Sequence, residues 1–203
     1  MQTIAIVDYG MGNVRSVQKA IEFVAPNSRS ILTNDPQLIN DADRVVFPGQ
    51  GAMGACMTAL NEHHLVDVIK KSAAEKPFLG ICLGLQLLFD HSEENNGTDG
   101  LSIISGKVVK FTNDSLKIPH MGWNTVNQVS SHPLWHNINN NARFYSVHSY
   151  YVTEDDSSVV VGSTDYGRMF TSAIAKDQMF AVQFHPEKSQ HDGLQLLKNF
   201  VDW

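Results

Sequence analysis

Cys82 stands between two glycines in Gly80-Ile81-Cys82-Leu83-Gly84. The spacing is that of a nucleophile elbow, G-x-S-x-G, with sulfur in place of oxygen. A nucleophile on a sharp strand-to-helix turn takes a strained backbone conformation, and flanking glycines let neighbouring segments approach it closely. The run that follows, LGLQLLF, predicts a helix whose free N–H groups and positive dipole end face the sulfur, which favours the reactive thiolate. The Leu83 N–H would also sit where a tetrahedral oxyanion forms. The elbow spacing favours the nucleophile over the other reading, a small buried residue in a tight turn, although free cysteines do pack as small hydrophobes. Cys56, in GAMGACMTAL, has an apolar helical context without such a turn and reads as packing.

A thiol nucleophile needs a base, and the base needs orienting. Of the nine histidines, His185 is the informative one, in Gln183-Phe184-His185-Pro186-Glu187. The run 179–184 reads as a strand, so His185 falls at a strand's C-terminal end, where the active sites of open α/β sheets gather. Pro186 restricts His185 to extended geometry, and residues two apart on an extended chain face one side, ~6.6 Å apart. Glu187 can then hold one imidazole nitrogen while the other faces the thiol, which is triad logic in local form. HPE by itself is also compatible with a strand end carrying a surface salt bridge. His132 and His136 have metal-capable spacing, but no further Cys or His cluster follows, so no metal is expected. His63 and His64 read as a solvated helix face. GMGN at 10–13 is not a dinucleotide fingerprint, because Arg15 stands where the third glycine should be. No cofactor is expected.

These groups must be held by strands that end together. Thr3–Asp8, Arg44–Phe47 and Pro77–Ile81 read as buried strands, with Ser30–Thr33 a weaker fourth. Pro48-Gly49 should end the second, and helical stretches fall between them. That alternation predicts a parallel sheet covered by helices on both faces. HSEENNGTDG after Asp90 reads as a solvated loop. From Leu101 to Phe184, the runs IISGKVVKF, ARFYSVHSYYV, SVVVGS, TSAIAK and MFAVQF predict antiparallel additions to the sheet. GLQLLKNFV has the period of a closing helix. The expected fold class is therefore α/β, one domain over residues 1–203, with a mostly parallel central sheet, flanking helices and antiparallel strand additions.

The 203 residues suffice for one substantial core. A net charge of −6 argues against nucleic acid as the main partner. No apolar run is long enough for a bilayer, and MQTIAIVDYG lacks the basic start of a signal peptide. Two cysteines suggest no disulfide framework, so a reducing cytoplasmic compartment is expected.

With GICLGLQLLF and VQFHPEKS on the page, the chain resembles the class I, triad-type glutamine amidotransferases, whose fold is flavodoxin-like. FPGQGAMG, PHMGWN and YSVHSYYV are most similar to the branch that serves histidine biosynthesis, and the resemblance runs essentially end to end. It implies that Cys82 attacks the side-chain amide of L-glutamine, that His185 shuttles the proton and that Glu187 orients His185. A γ-glutamyl thioester forms, and water hydrolyses it to glutamate. Gln86, Gly49, Gly51, Ser149 and Tyr150 match glutamine-binding positions. The oxyanion donors would be the N–H groups of Leu83 and Gln50, with Gln50 departing from the small apolar residue common there. The resemblance further implies a heterodimer in which ammonia passes to a cyclase with a (β/α)8 barrel. Asn13, Met121, Trp123 and Lys188 match the docking face. Trp123 is expected in a loop, exposed. Alternatives are an amidotransferase subunit for anthranilate or aminodeoxychorismate synthesis, a flavodoxin-like redox or stress protein that uses Cys82 as a sensor, and an inactive binding subunit. HPE argues against the sensor, which needs no oriented base.

Overall fold

A computed structural model describes residues 1–112 and 116–203. The chain runs β1 (Thr3–Val7), α1 (Val14–Val24), β2 (Arg29–Thr33), α2 (Pro36–Asp41), β3 (Arg44–Gly49), α3 (Met53–Glu62), α4 (Val66–Glu75), β4 (Phe78–Cys82) and a single turn, α5 (Leu83–Gln86). The second half is almost all strand: β5 (Phe89–Ser92), β6 (Thr98–Asp99), β7 (Ile104–Lys110), β8 (His120–Gln128), β9 (Ala142–His148), β10 (Tyr150–Glu154), β11 (Val160–Asp165), β12 (Met169–Lys176) and β13 (Met179–Val182). Helix α6 (Gln190–Asp202) follows.

The sheet order is β2-β1-β3-β4-β13-β12-β10-β7-β5-β6, with β11 pairing β12 and β8, and β8 pairing β9. Strands β2, β1, β3, β4 and β13 are mutually parallel. From β12 outward the pairs are antiparallel, except β5 beside β7. The fold is thus α/β, as the strand–helix alternation predicts, though the antiparallel additions rival the parallel core in extent.

The parallel strands alternate side chains between two cores. Ala5, Val7, Val45, Phe47 and Phe78 pack under α2, α3 and α4. Ile4, Ile6, Val46, Leu79 and Ile81 pack under α1 and α6. Covered on both faces, β3, β4 and β13 are buried at every residue, which is why they read as unbroken apolar runs. Helix α1 buries Val14, Val17, Ala20 and Ile21, one stripe at helical spacing, and Asn13 caps it through Ser16 N–H.

Several local expectations change. The helix after Cys82 is one turn, not LGLQLLF. Leu87, Leu88 and Phe89 are fully buried, and a one-sided helix would leave some of them facing water, so the chain enters β5 instead. HSEENNGTDG is not a free loop: its ends pair as β5 and β6, and Glu94 accepts a hydrogen bond from Met53 N–H at the start of α3 (2.7 Å). PHMGWN is strand rather than loop, because His120–Val126 pair in register with Ala142–His148. Strand β3 runs on through Pro48-Gly49, with Gly49 opposite Cys82.

Candidate active site

Strand β4 lies between β3 and β13, all parallel, so their C-terminal ends arrive side by side. Gly49 is in register with Cys82, and Val182 with Ile81. Three segments distant in sequence therefore deliver the Pro48–Gly51 loop, Cys82 and His185 to one edge.

Cys82 takes φ 56°, ψ −110°, a conformation that costs a β-carbon-bearing residue on the order of 1–3 kcal/mol. The surroundings hold it there. A Cβ on Gly84 would overlap the carbonyl oxygen of Phe47, and one on Gly80 would lie 2.9 Å from the Ala181 Cβ. Only glycines let the turn sit this close to β3 and β13. With α5 reduced to four residues, there is no macrodipole of consequence; what the turn offers the sulfur is its local N–H groups.

His185 Nδ1 lies 2.9 Å from Glu187 Oε1, with both side chains nearly inaccessible to water. His185 itself is extended (φ −106°, ψ 94°), as Pro186 requires, but Pro186–Lys188 then forms a 3-10 turn, so Glu187 reaches the ring through the turn rather than along an extended chain. His185 Nε2 is buried and makes no hydrogen bond. Burial pulls the imidazole pKa down, but the negative charge of Cys82 and the Glu187 carboxylate outweigh it and raise it to about 10. Cys82 raises it both by charge and by its hydrogen-bonding approach to the ring, although Nε2 has no hydrogen bond of good geometry, as is common before substrate binds. Gln183 Nε2 approaches Cys82 Sγ at 3.8 Å.

A cavity of about 420 Å³ opens beside these groups, lined by Gln50, Gly51, Cys82, Leu83, Gln86, Ser149, Tyr150 and His185 among others. This is room for a small polar ligand. Glu187 stands behind His185, outside the cavity. Gly49 lies beneath it, where an added Cβ would meet the Tyr9 hydroxyl at 2.7 Å. The backbone loop above is tied down: Tyr9 donates to the Pro48 carbonyl (3.0 Å), and Cys56 Sγ lies 3.5 Å from the Gln50 carbonyl. Burial pushes the Cys56 thiol up to about 11, so it is inert packing that also touches the loop.

Sequence reasoning missed Glu94, Pro119, Val147 and His148, which also line the cavity. Glu94 arrives on the hairpin read as solvated loop. His148 sits in VHSYY, a motif noticed only for its resemblance.

The four docking-face residues come from three elements: β8, the turn at Pro186–Lys188 and the α1 cap. Met121 (55% exposed) and Trp123 (38% exposed) share the outer face of β8. Tyr145, opposite Trp123 in register, packs edge-on to it, and the Lys188 ammonium lies over the Tyr145 ring at 5.9 Å. Asn13, the exposed α1 cap, shares a small pocket with Glu187, the residue before Lys188. His132, one of the metal-spaced pair, caps the 3-10 turn Pro133–Trp135 through Leu134 N–H.

The description of the family glutamine amidotransferase class-I matches residues 5–203. The imidazole glycerol phosphate synthase subunit HisH of Aromatoleum aromaticum is 54% identical, over 100% of this chain and 99% of that protein. The subunit of the same name from Nitrosococcus oceani is 55% identical, over 100% and 98%. Among solved structures, PurLQS from Thermotoga maritima is similar with a TM-score of 0.75 at 16% identity, covering 99% of this chain and 98% of that one. The glutaminase domain of Trypanosoma brucei CTPS with bound acivicin gives 0.69 at 18% identity, over 100% and 94%. At such identities the solved structures speak to the fold.

Proposed function

The chain belongs to the class I glutamine amidotransferase family, and from that premise we infer that it is the glutaminase subunit of imidazole glycerol phosphate synthase. Likeness above one half over the full length of curated subunits supports this pathway over others that use the same triad. The whole chain, 1–203, is then one amidotransferase domain.

The observation that carries the chemistry is the strained Cys82 beside a buried His185 whose Nε2 is free and whose Nδ1 is held by Glu187. Cys82 Sγ attacks the side-chain carboxamide carbon of glutamine. The developing oxyanion is met by the N–H groups of Leu83 and Gln50, both at the cavity wall. His185, kept as imidazolium by its neighbours, gives its Nε2 proton to the departing nitrogen, and ammonia leaves. The neutral imidazole then takes a proton from water, which attacks the γ-glutamyl thioester. The thioester C–S bond breaks, glutamate departs, and Cys82 is regenerated. Gly51, Gln86, Ser149 and Tyr150 are the glutamine-binding residues of this reading, with Gly49 shaping the floor.

Ammonia released to water would be protonated and lose its nucleophilicity, so a second subunit must receive it. In our reading that partner is a (β/α)8-barrel cyclase, which forms imidazole glycerol phosphate and aminoimidazole carboxamide ribotide in histidine biosynthesis. The outer face of β8 and β9 suits docking: Met121, Trp123, Tyr145 and Val147 share it, and Val147 also lines the cavity. Lys188 adds charge at that face, and Asn13 lies beside the turn that carries it. No helix among the described residues is long and apolar enough to cross a membrane, and unpaired cysteines suit the cytoplasm.

The test is the Cys82→Ala chain co-purified with the cyclase. Glutamine-dependent synthesis should be abolished while ammonia-dependent synthesis and one-to-one assembly persist. Retained glutamine hydrolysis would overturn the mechanism, and failure of the parent chain to assemble with the cyclase would overturn the pathway.

A further inference from the structure

Two buried histidines have no part in the triad. His120 on β8 and His148 at the end of β9 are register partners, and both are nearly inaccessible to water. Burial draws their pKa values down to about 4 and about 3, so both are neutral at neutral pH.

Their hydrogen bonds admit one arrangement of protons. His148 Nδ1 lies 2.7 Å from the Tyr150 carbonyl oxygen. A carbonyl only accepts, so Nδ1 carries the proton, and in a neutral ring Nε2 is bare. That Nε2 is 2.9 Å from His120 Nδ1, which must therefore donate. His120 Nε2 is then bare in turn, and it faces the Asn124 amide nitrogen at 3.3 Å. Asn124 Nδ2 also donates to the Asp165 carbonyl at 2.8 Å. Rings clamp the pair: Tyr166 stacks on His120 at 4.0 Å between centroids, and Phe111 and Phe170 flank His148 at 5.5 and 5.4 Å.

The chain continues into the cavity. The Tyr150 carbonyl also accepts from Gln86 Nε2 (3.1 Å), whose second hydrogen goes to Gln183 Oε1 (2.9 Å). Both hydrogens of the Gln86 amide are thus committed, and its Oε1 is the end left to accept from a bound ligand.

We propose that His120 and His148 are positioning residues of the glutamine cavity, a tautomer-locked hydrogen-bond pair that fixes the Tyr150 carbonyl and, through it, the Gln86 amide. The proposal rests on the reading of this cavity as the glutamine site. Loss of the His148 donor lets the carbonyl and amide reorient, which weakens substrate binding more than the chemical step.

The kinetic test uses the chain in complex with the cyclase, with KM and kcat for glutamine measured separately. His148→Leu should raise KM about tenfold, the order expected for one buried hydrogen bond, with kcat changing much less. His148→Asn, whose amide can still donate near the Nδ1 position, should recover most of that loss. The change should not follow the melting temperatures of the two variants. An unchanged KM in His148→Leu, or a loss that Asn does not recover, would overturn the proposal. Should the leucine variant fail to fold, nitrogen NMR of the unaltered chain decides it: both rings must be neutral with the proton on Nδ1. The commoner Nε2–H form on either ring would overturn the proposal even in an active enzyme. An unaltered complex that hydrolyses no glutamine would instead overturn the functional reading, leaving the tautomers to be judged separately.

Discussion

Glu187 meets His185 through one oxygen only, and its Oε2 is buried without a hydrogen-bond partner. The carboxylate therefore acts on the ring at a single point: it accepts from Nδ1–H and leaves Nε2 as the working nitrogen. It also supplies part of the charge that favours the imidazolium over the burial that opposes it. Glu187→Gln keeps the size but can turn its NH2 toward Nδ1, which selects the other tautomer and places the proton on Nε2. By analogy with the cost of such a tautomer switch in serine hydrolases, kcat should fall by roughly 10³–10⁴-fold. KM and the melting temperature should change little, since the group does not line the cavity. Steady-state glutamate release and thermal unfolding of the same preparation measure both. Equal losses in stability and activity would mean that Glu187 serves the fold rather than the ring.

The turn from β4 into α5 carries the constraint one level up. Gly84 is where the elbow crosses the end of β3, and a methyl there must displace the Phe47 main chain. Gly84→Ala should destabilise by about 2 kcal/mol, the usual order for overpacking, or about 4–8 °C in melting temperature for a chain of this size. It should also tilt Cys82 and lower kcat disproportionately; calorimetry beside turnover separates the two. This element shows what the sequence could and could not reveal. GICLG carried its own geometry, because glycine spacing around a strained residue is a local signal. Cys82, His185 and Glu187 became legible together, since each short stretch alone admits a packing or salt-bridge reading and only the pair supplies a nucleophile with an oriented base. The length of α5 was not legible: whether LGLQLLF continues as helix depends on β7, a partner some twenty residues on. The strand PHMGWN was hidden likewise, its glycine reading as loop until β9 paired with it. Glu94 and His148 escaped because nothing local distinguishes a polar residue on a hairpin or strand end from one that turns into a cavity.

Across the molecule, the antiparallel half gathers histidines that the fold keeps neutral. Burial lowers His120 and His132 from an ordinary 6.5 to about 4 and His148 to about 3. In the unfolded chain each takes up a proton near 6.5, whereas the folded protein refuses it until the solution is far more acidic. Between about pH 6.5 and 4 the unfolded state therefore binds more protons, and stability falls as pH falls. His185 adds no slope in this window, because its raised pKa leaves it protonated in both states below about 6.5. The carboxyls of Asp41 and Asp156, held low first by hydrogen bonds from Gln37 and Ser158, act only at lower pH. Each buried histidine contributes at most about 1.4 kcal/mol per pH unit, and half-buried His132 less. Against a total stability of about 5–15 kcal/mol, a drop from neutrality to about pH 5 should cost ~2 kcal/mol or more, read as a lower urea midpoint. His132→Asn keeps a side-chain acceptor for the Leu134 N–H but cannot titrate, so its stability should fall less steeply over the same range. An unaltered slope in that variant, or a parent chain equally stable at both pH values, would mean that water reaches these rings and the fold tolerates their charge.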